Sequence, residues 1–323
     1  MHMVKRIVNI FLVLLVLGFC ACFIKPELAS VLESKICLPL RALMSGATSS
    51  FAIPIFELLV VCLPILVIVM LARGYITGIT TVAKLLIIAY IITLGVPARQ
   101  PSTLDVQGEY TTGDYEVAAR IICDGISSLS QAENYSPSSV VAATMNYAVS
   151  ALGVDMAESP RVKPTAAPAL LTEMGIVAYY AFPTAEIITC TYAPDFMTAF
   201  SIAHEAMHFF GITNEDEANL FALAALLKSA NESLQYSAYL CAFVYVGSVL
   251  CAEDRDTYDE IYAQLPDFAR ESLDDRNAFL KRGEGKLGSL SDDLNDIAIT
   301  LRDPRGSESY SHTSSLIVGY LLQ

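Results

Sequence analysis

The chain has 323 residues, 54% of them hydrophobic, and a mean hydropathy of +0.49. That is too apolar for an ordinary soluble domain of this length, so the first question is where it crosses a membrane. The formal net charge of −14 argues against nucleic acid as a partner.

Residues 7–24, IVNIFLVLLVLGFCACFI, carry no charge and have the length of a bilayer-crossing helix. Residues 51–72 form a second long apolar run, and residues 80–97 a third, with Lys84 placed to snorkel. The first run follows MHMVKR and has the outline of a signal peptide, but its cleavage pattern is poor and two further spans favour a retained anchor. Lys5, Arg6 and Arg73 place the N-terminus and the second turn in the cytoplasm, which leaves everything after the third span outside. Lys25, Lys35 and Arg41 in the intervening loop weaken that bias. Residues 98–113 read as a linker, and residues 114–323 as one domain with ample length for a core.

Within that domain, helices are predicted over 114–130 and 137–151, followed by a Pro-rich connection. GIVAYY (175–180) and EIITCTY (186–192) read as a short β pair. Asp195 is a candidate N-cap for a helix running to Phe210. YSAYLCAFVYVGSVLC (236–251) is apolar but short and rich in Tyr, Ser and Gly, which fits a buried core helix better than a fourth span. The eight cysteines include no C-x-x-C, so buried free thiols are expected rather than a zinc ribbon or redox motif.

The chemistry is concentrated in TAFSIAHEAMHFFGITNEDEANLFALAA, residues 198–225. His204 and His208, one helical turn apart, can close on one zinc ion, and Glu205 is rotated to act as general base without being a ligand. Charged residues in so apolar a helix are costly unless used. Gly211 should end the helix and Asn214 cap the next. For the third ligand, Glu215 shares a face with Asn219, a candidate to orient a histidine. Glu217 is the alternative, although its spacing from Asn214 suggests a capping box. Tyr179, Tyr180, Tyr310 and His312 are candidates for oxyanion or substrate contacts. The strand EIITCTY, just before the motif, is a candidate for pairing with an extended substrate.

HEAMH followed by EDEAN resembles the gluzincin pattern, in which a later E-x-x-x-D or E-x-x-x-N supplies the third ligand and its supporting partner. More closely, the chain resembles a bacterial membrane family, domain-of-unknown-function family 3810. KP at 163–164, GI at 175–176, FPTAE at 182–186, YSAYL at 236–240 and the terminal SYSHTSSLIVGYLL carry that likeness beyond the motif. ITLRDPRGSESY departs from it. The resemblance implies a mainly α protein with a small β element. It also implies a membrane-anchored, gluzincin-like metallopeptidase; with the three transmembrane helices and the orientation read above, that domain would lie outside a bacterial plasma membrane. The expected activity is zinc-dependent hydrolysis of peptide bonds in a peptide or protein substrate, with the lipid bilayer as the other partner. Two alternatives are a catalytically silent zinc-fold sensor or scaffold, against which the intact Glu205 argues, and an intramembrane protease, against which the acids after the motif argue.

Overall fold

In the computed structural model, which describes residues 2–104, 110–129, 134–156, 159–285, 287–289, 291 and 309–323, the apolar N-terminal runs are helical. Helix α1 spans His2–Cys22. Residues 25–50, read as a loop, instead form α2 (Glu27–Leu32), a π-helical turn (Glu33–Cys37) and α3 (Leu38–Ser49). Then come α4 (Ile55–Ala72) and α5 (Ile76–Tyr90), the latter prolonged by a second π-helical turn at Ile91–Gly95. The stretches Ile55–Ala72 and Ile76–Gly95 are long and apolar enough to cross a membrane, and within α1 the segment Asn9–Cys22 is an apolar helix. Lys84 does not extend to a helix end; its ammonium donates to the Asn9 amide oxygen at 2.8 Å, joining α5 to α1.

The C-terminal part is a helical bundle around one short sheet. Its helices are α6 (Thr112–Ser128) and α7 (Pro137–Leu152), both with Ser/Thr capping boxes, and short α8 (Pro168–Glu173). They continue as α9 (Asp195–Phe209), α10 (Glu215–Leu227), α11 (Glu232–Glu253), α12 (Arg255–Gln264), α13 (Asp267–Arg282) and α14 (Ser309–Leu321). Asp195 does not cap α9. Pro194 holds the N-cap position in an extended conformation, and Asp195 is the first helical residue, where its charge favours the helix dipole. Helix α11 also meets the length and composition of a span, yet 56% of its apolar window is buried against 0% for α4. It packs on α6, α9 and α10 as a core helix.

The predicted β pair is present as β2 (Ala178–Ala181) and β3 (Glu186–Thr189), antiparallel. A third strand, β1 (Val162–Pro164), lies within the Pro-rich connection and pairs with β3 in parallel, giving the order β1-β3-β2. Strand β3 is therefore central and buried at all four residues, while β2 is an edge strand among the described residues.

The bundle and the N-terminal helices are not separate bodies on a string. A small apolar cluster of Leu15, Cys22, Ala29, Cys37, Ile91, Ile92 and Val96 lies beneath the main core, and Met44 packs against both. Buried Lys163 of β1 donates to the Thr48 carbonyl ending α3 (2.7 Å) and to the Glu186 carboxylate (2.6 Å). Glu186 in turn accepts from the amides of Ile55 (3.0 Å) and Phe56 (2.8 Å). Pro54 at the start of α4 provides no side-chain cap, so the first free N–H groups of that helix are capped by the sheet.

Candidate metal centre

Helices α9 and α10 form a hairpin whose turn is closed at both ends. The amide of Gly211 bonds to the His208 carbonyl and that of Ile212 to the Met207 carbonyl, the paired bonds of a Schellman ending. Gly211 has φ +96°, and a Cβ there would run into the Glu33 carboxylate. Glycine is thus required both for the turn and for the approach of the N-terminal helices. Asn214 caps α10 by accepting from the Glu217 amide at 3.1 Å.

This hairpin brings together His204, His208 and Glu215, whose ligand-type atoms all lie within 4.8 Å of one another. The Glu215 carboxylate is 3.1 Å from His204 Nε2 and 3.6 Å from His208 Nε2. Ligand atoms about 2.0–2.1 Å from a tetrahedral zinc lie ~3.3 Å apart, so these separations bracket the spacing such an ion needs. His208 Nδ1 meets the Ile212 carbonyl at 2.7 Å, which fixes the ring and leaves Nε2 facing the cluster. Burial works to raise the Glu215 carboxyl, but the imidazoles of His208 and His204 outweigh it and hold the group well below the usual carboxylate range. Two imidazoles and one ionised carboxylate are a donor set suited to zinc.

Glu205, half-buried, follows His204 on α9. Its Oε2 accepts the backbone N–H of Tyr180, on β2, at 2.7 Å. The other sequence candidates separate. Glu217 is not at the cluster and does not complete a capping box. Its carboxylate accepts from Ser102 Oγ (2.7 Å) and the amides of Thr103 (2.6 Å) and Leu104 (3.1 Å), tying down the stretch read as linker. Asn219 donates to Thr313 of α14 at 3.4 Å, and Thr313 donates to Asp216 at 2.8 Å, so Asn219 supports that helix rather than a histidine. Tyr179 donates to Glu57 of α4 at 3.3 Å. Burial and that carboxylate push its phenol up, so it stays protonated and committed to α4. The Tyr180 ring is buried edge-on against Phe209. His312 is exposed on α14, and the Tyr310 side chain lies outside the described residues.

Three contributors escaped the sequence. The Tyr180 backbone amide and the Ile212 carbonyl have no residue signature. The third is Arg41, fully buried and ion-paired with Glu33, which donates to the carbonyls of Phe209 (2.9 Å) and Ile92 (2.9 Å). It braces the end of α9 against the end of α5. Its one signal in the sequence is a lone arginine in an apolar stretch. Helix α9 itself has 15 residues and sits in the main core.

Residues 34–318 match a family model described as a protein of unknown function, DUF3810. The chain belongs to this family. The DUF3810 match begins within the first π-helical turn and takes in α3, α4 and α5, so these helices are part of the family unit. KP and FPTAE, quoted above for the likeness, supply Lys163 and Glu186, the buried pair that holds the sheet to α4. No curated protein and no solved structure matches the chain.

Proposed function

We propose that this DUF3810 member is a membrane-anchored zinc metallopeptidase. The observation that carries the reading is the convergence of His204, His208 and Glu215 with Glu205 alongside. A site that only bound metal would not need Glu205 aimed by a strand amide. Zinc held here would supply a Lewis acid and a water of lowered pKa. The chain's own residues do the rest. His208 is set by Ile212, and Glu215 is kept ionised in the α9–α10 turn. Glu205 is steadied through Oε2 by Tyr180, and its other carboxylate oxygen is assigned to take a proton and return it to the leaving amine. An extended substrate would lie along β2, the edge strand beside Glu205. It cannot lie along β3, which is already paired on both sides.

Orientation follows the basic residues, with the catalytic part outside the cytoplasm. The contacts of Thr48, Ile55 and Phe56 with β1 and β3 support this, because they require the α1–α4 connection and the bundle to share one side. Arg41, one of the charges that blurred the bias, is neutralised by Glu33.

The test uses the full chain purified in detergent. Metal analysis should find about one zinc per chain. Glu205→Gln should keep that zinc and lose hydrolysis of a responsive peptide by ~100-fold or more. Wild-type turnover in Glu205→Gln would refute the mechanism, and loss of metal would make Glu205 a ligand.

A further inference from the structure

We infer that the substrate is itself membrane-anchored and is cut within the first few residues outside its own span. The inference rests on the peptidase reading above and adds where the site works. Helix α4 has 18 residues. At 1.5 Å per residue that is ~27 Å, close to the roughly 30 Å hydrocarbon core of a bilayer. If α4 crosses, Ile55 and Phe56 therefore mark the hydrocarbon boundary. The catalytic strand stands directly on those residues. Tyr179 of β2 meets the Phe56 ring at 5.9 Å between centroids and bonds Glu57 at 3.3 Å. Its neighbour Tyr180 holds Glu205 at 2.7 Å. Even if these contacts ran in one line, with one strand residue of ~3.4 Å added, the Glu205 carboxylate would stand no more than about 15 Å above the boundary. An extended chain covers that in about four residues at 3.3–3.6 Å each.

The height is set by direct clamps. The β2–β3 hairpin is held on α5 by Phe182 against Tyr90 at 6.5 Å, and on α4 by the Glu186 cap. Lys163 fixes the same sheet to the end of α3. Phe51 and Ile53, 55% and 52% exposed beside the start of α4, present apolar side chains at the same level. A catalytic site on a long tether would reach bonds at many heights. One clamped to two spans works at a single height, and a chain emerging from the bilayer nearby offers its bonds there.

The experiment reconstitutes the zinc-loaded full chain in phosphatidylethanolamine–phosphatidylglycerol vesicles with a single-span probe. The probe is an apolar helix followed by about 25 randomised unstructured residues, long enough to extend ~80 Å. The same randomised segment without the helix serves as the soluble comparison. Mass spectrometry maps the cut positions. The inference expects cuts to cluster within about six residues of the span, and a spacer of about five Gly-Ser residues to leave the cut at the same distance from the membrane. Cuts spread evenly along the segment, or cutting of the soluble segment alone, would overturn it while leaving the peptidase reading intact. Hydrolysis of neither probe would overturn the peptidase reading and this inference with it.

Discussion

Neighbouring acids in the EDEAN run have different tasks. Glu215 faces two imidazoles, whereas Glu217, two residues on, points to the other side of α10 and receives the chain at residues 102–104. Glu215→Ala should therefore lower zinc affinity by a large factor, at least ~10–100-fold, since even supporting partners of ligands carry that much. Glu217→Ala should keep zinc and cost about 1–3 kcal/mol of stability, because the amides of Thr103 and Leu104 lose their acceptor. The Asn214 cap survives in that variant, since it is made to the backbone of residue 217. A zinc competition titration, with hydrogen exchange at residues 102–104, separates the two. Release of metal by Glu217→Ala with retention by Glu215→Ala would reverse the assignment. At Gly211, alanine should cost at least ~1–2 kcal/mol for its positive φ alone, and more because Glu33 occupies the space a methyl needs. Thermal unfolding of the Gly211→Ala protein checks this.

Between elements, the decisive contacts are buried charges that cross from the N-terminal helices to the bundle. Lys163 and Glu186 are each about 1% exposed, and together they join the sheet to the end of α3 and the start of α4. Removing one partner of such a pair strands a charge, so Lys163→Met should destabilise by about 3–5 kcal/mol. The loss should appear first as lost amide protection at the start of α4 and in β3. Protection unchanged there in Lys163→Met would show that the pair does not hold the sheet. Arg41 does the corresponding work at the other end of the site, bracing the Phe209 carbonyl one residue beyond His208.

Across the whole molecule, these clamps predict that residues 98–323 do not form a self-sufficient piece. Cutting at residue 98 removes the lysine's acceptor at Thr48, the helix capped by Glu186, and Arg41. That fragment should be proteolysed much faster than the full chain in detergent, with β2 and β3 the first elements to lose protection. Equal resistance of the two would show the bundle to be independent. Topology is testable at Tyr192, 58% exposed on the turn after β3. In a cysteine-free background, Tyr192→Cys should react with an impermeant thiol reagent on intact cells. Reaction only after lysis would put the helical bundle in the cytoplasm.

What the sequence by itself determined is what short-range pattern can encode. Long, mostly apolar runs marked α4 and α5. The four-residue spacing of His204 and His208 put them on one helical face, and Gly211 and Asn214 marked a tight turn between helices. The Tyr, Ser and Gly content of residues 236–251 pointed to a core helix; Glu232–Glu253 has the length and apolarity of a span, and it is its packing, with 56% of the apolar window buried, that sets it apart from α4. Only the tertiary structure decided matters that depend on distant partners. Strand β1 is three residues long and forms because β3 offers an edge, so it has no local signal. Glu217 has capping-box spacing, but the backbone donors at residues 102–104 claim its carboxylate. Asn219 was legible as buried polarity, yet its partner, Thr313, lies 94 residues away. Arg41, Lys163 and Glu186 looked like ordinary charges until burial showed that each ends or begins a helix contributed by another part of the chain. A buried charge must find compensation, and the sequence near it does not say where that compensation lies.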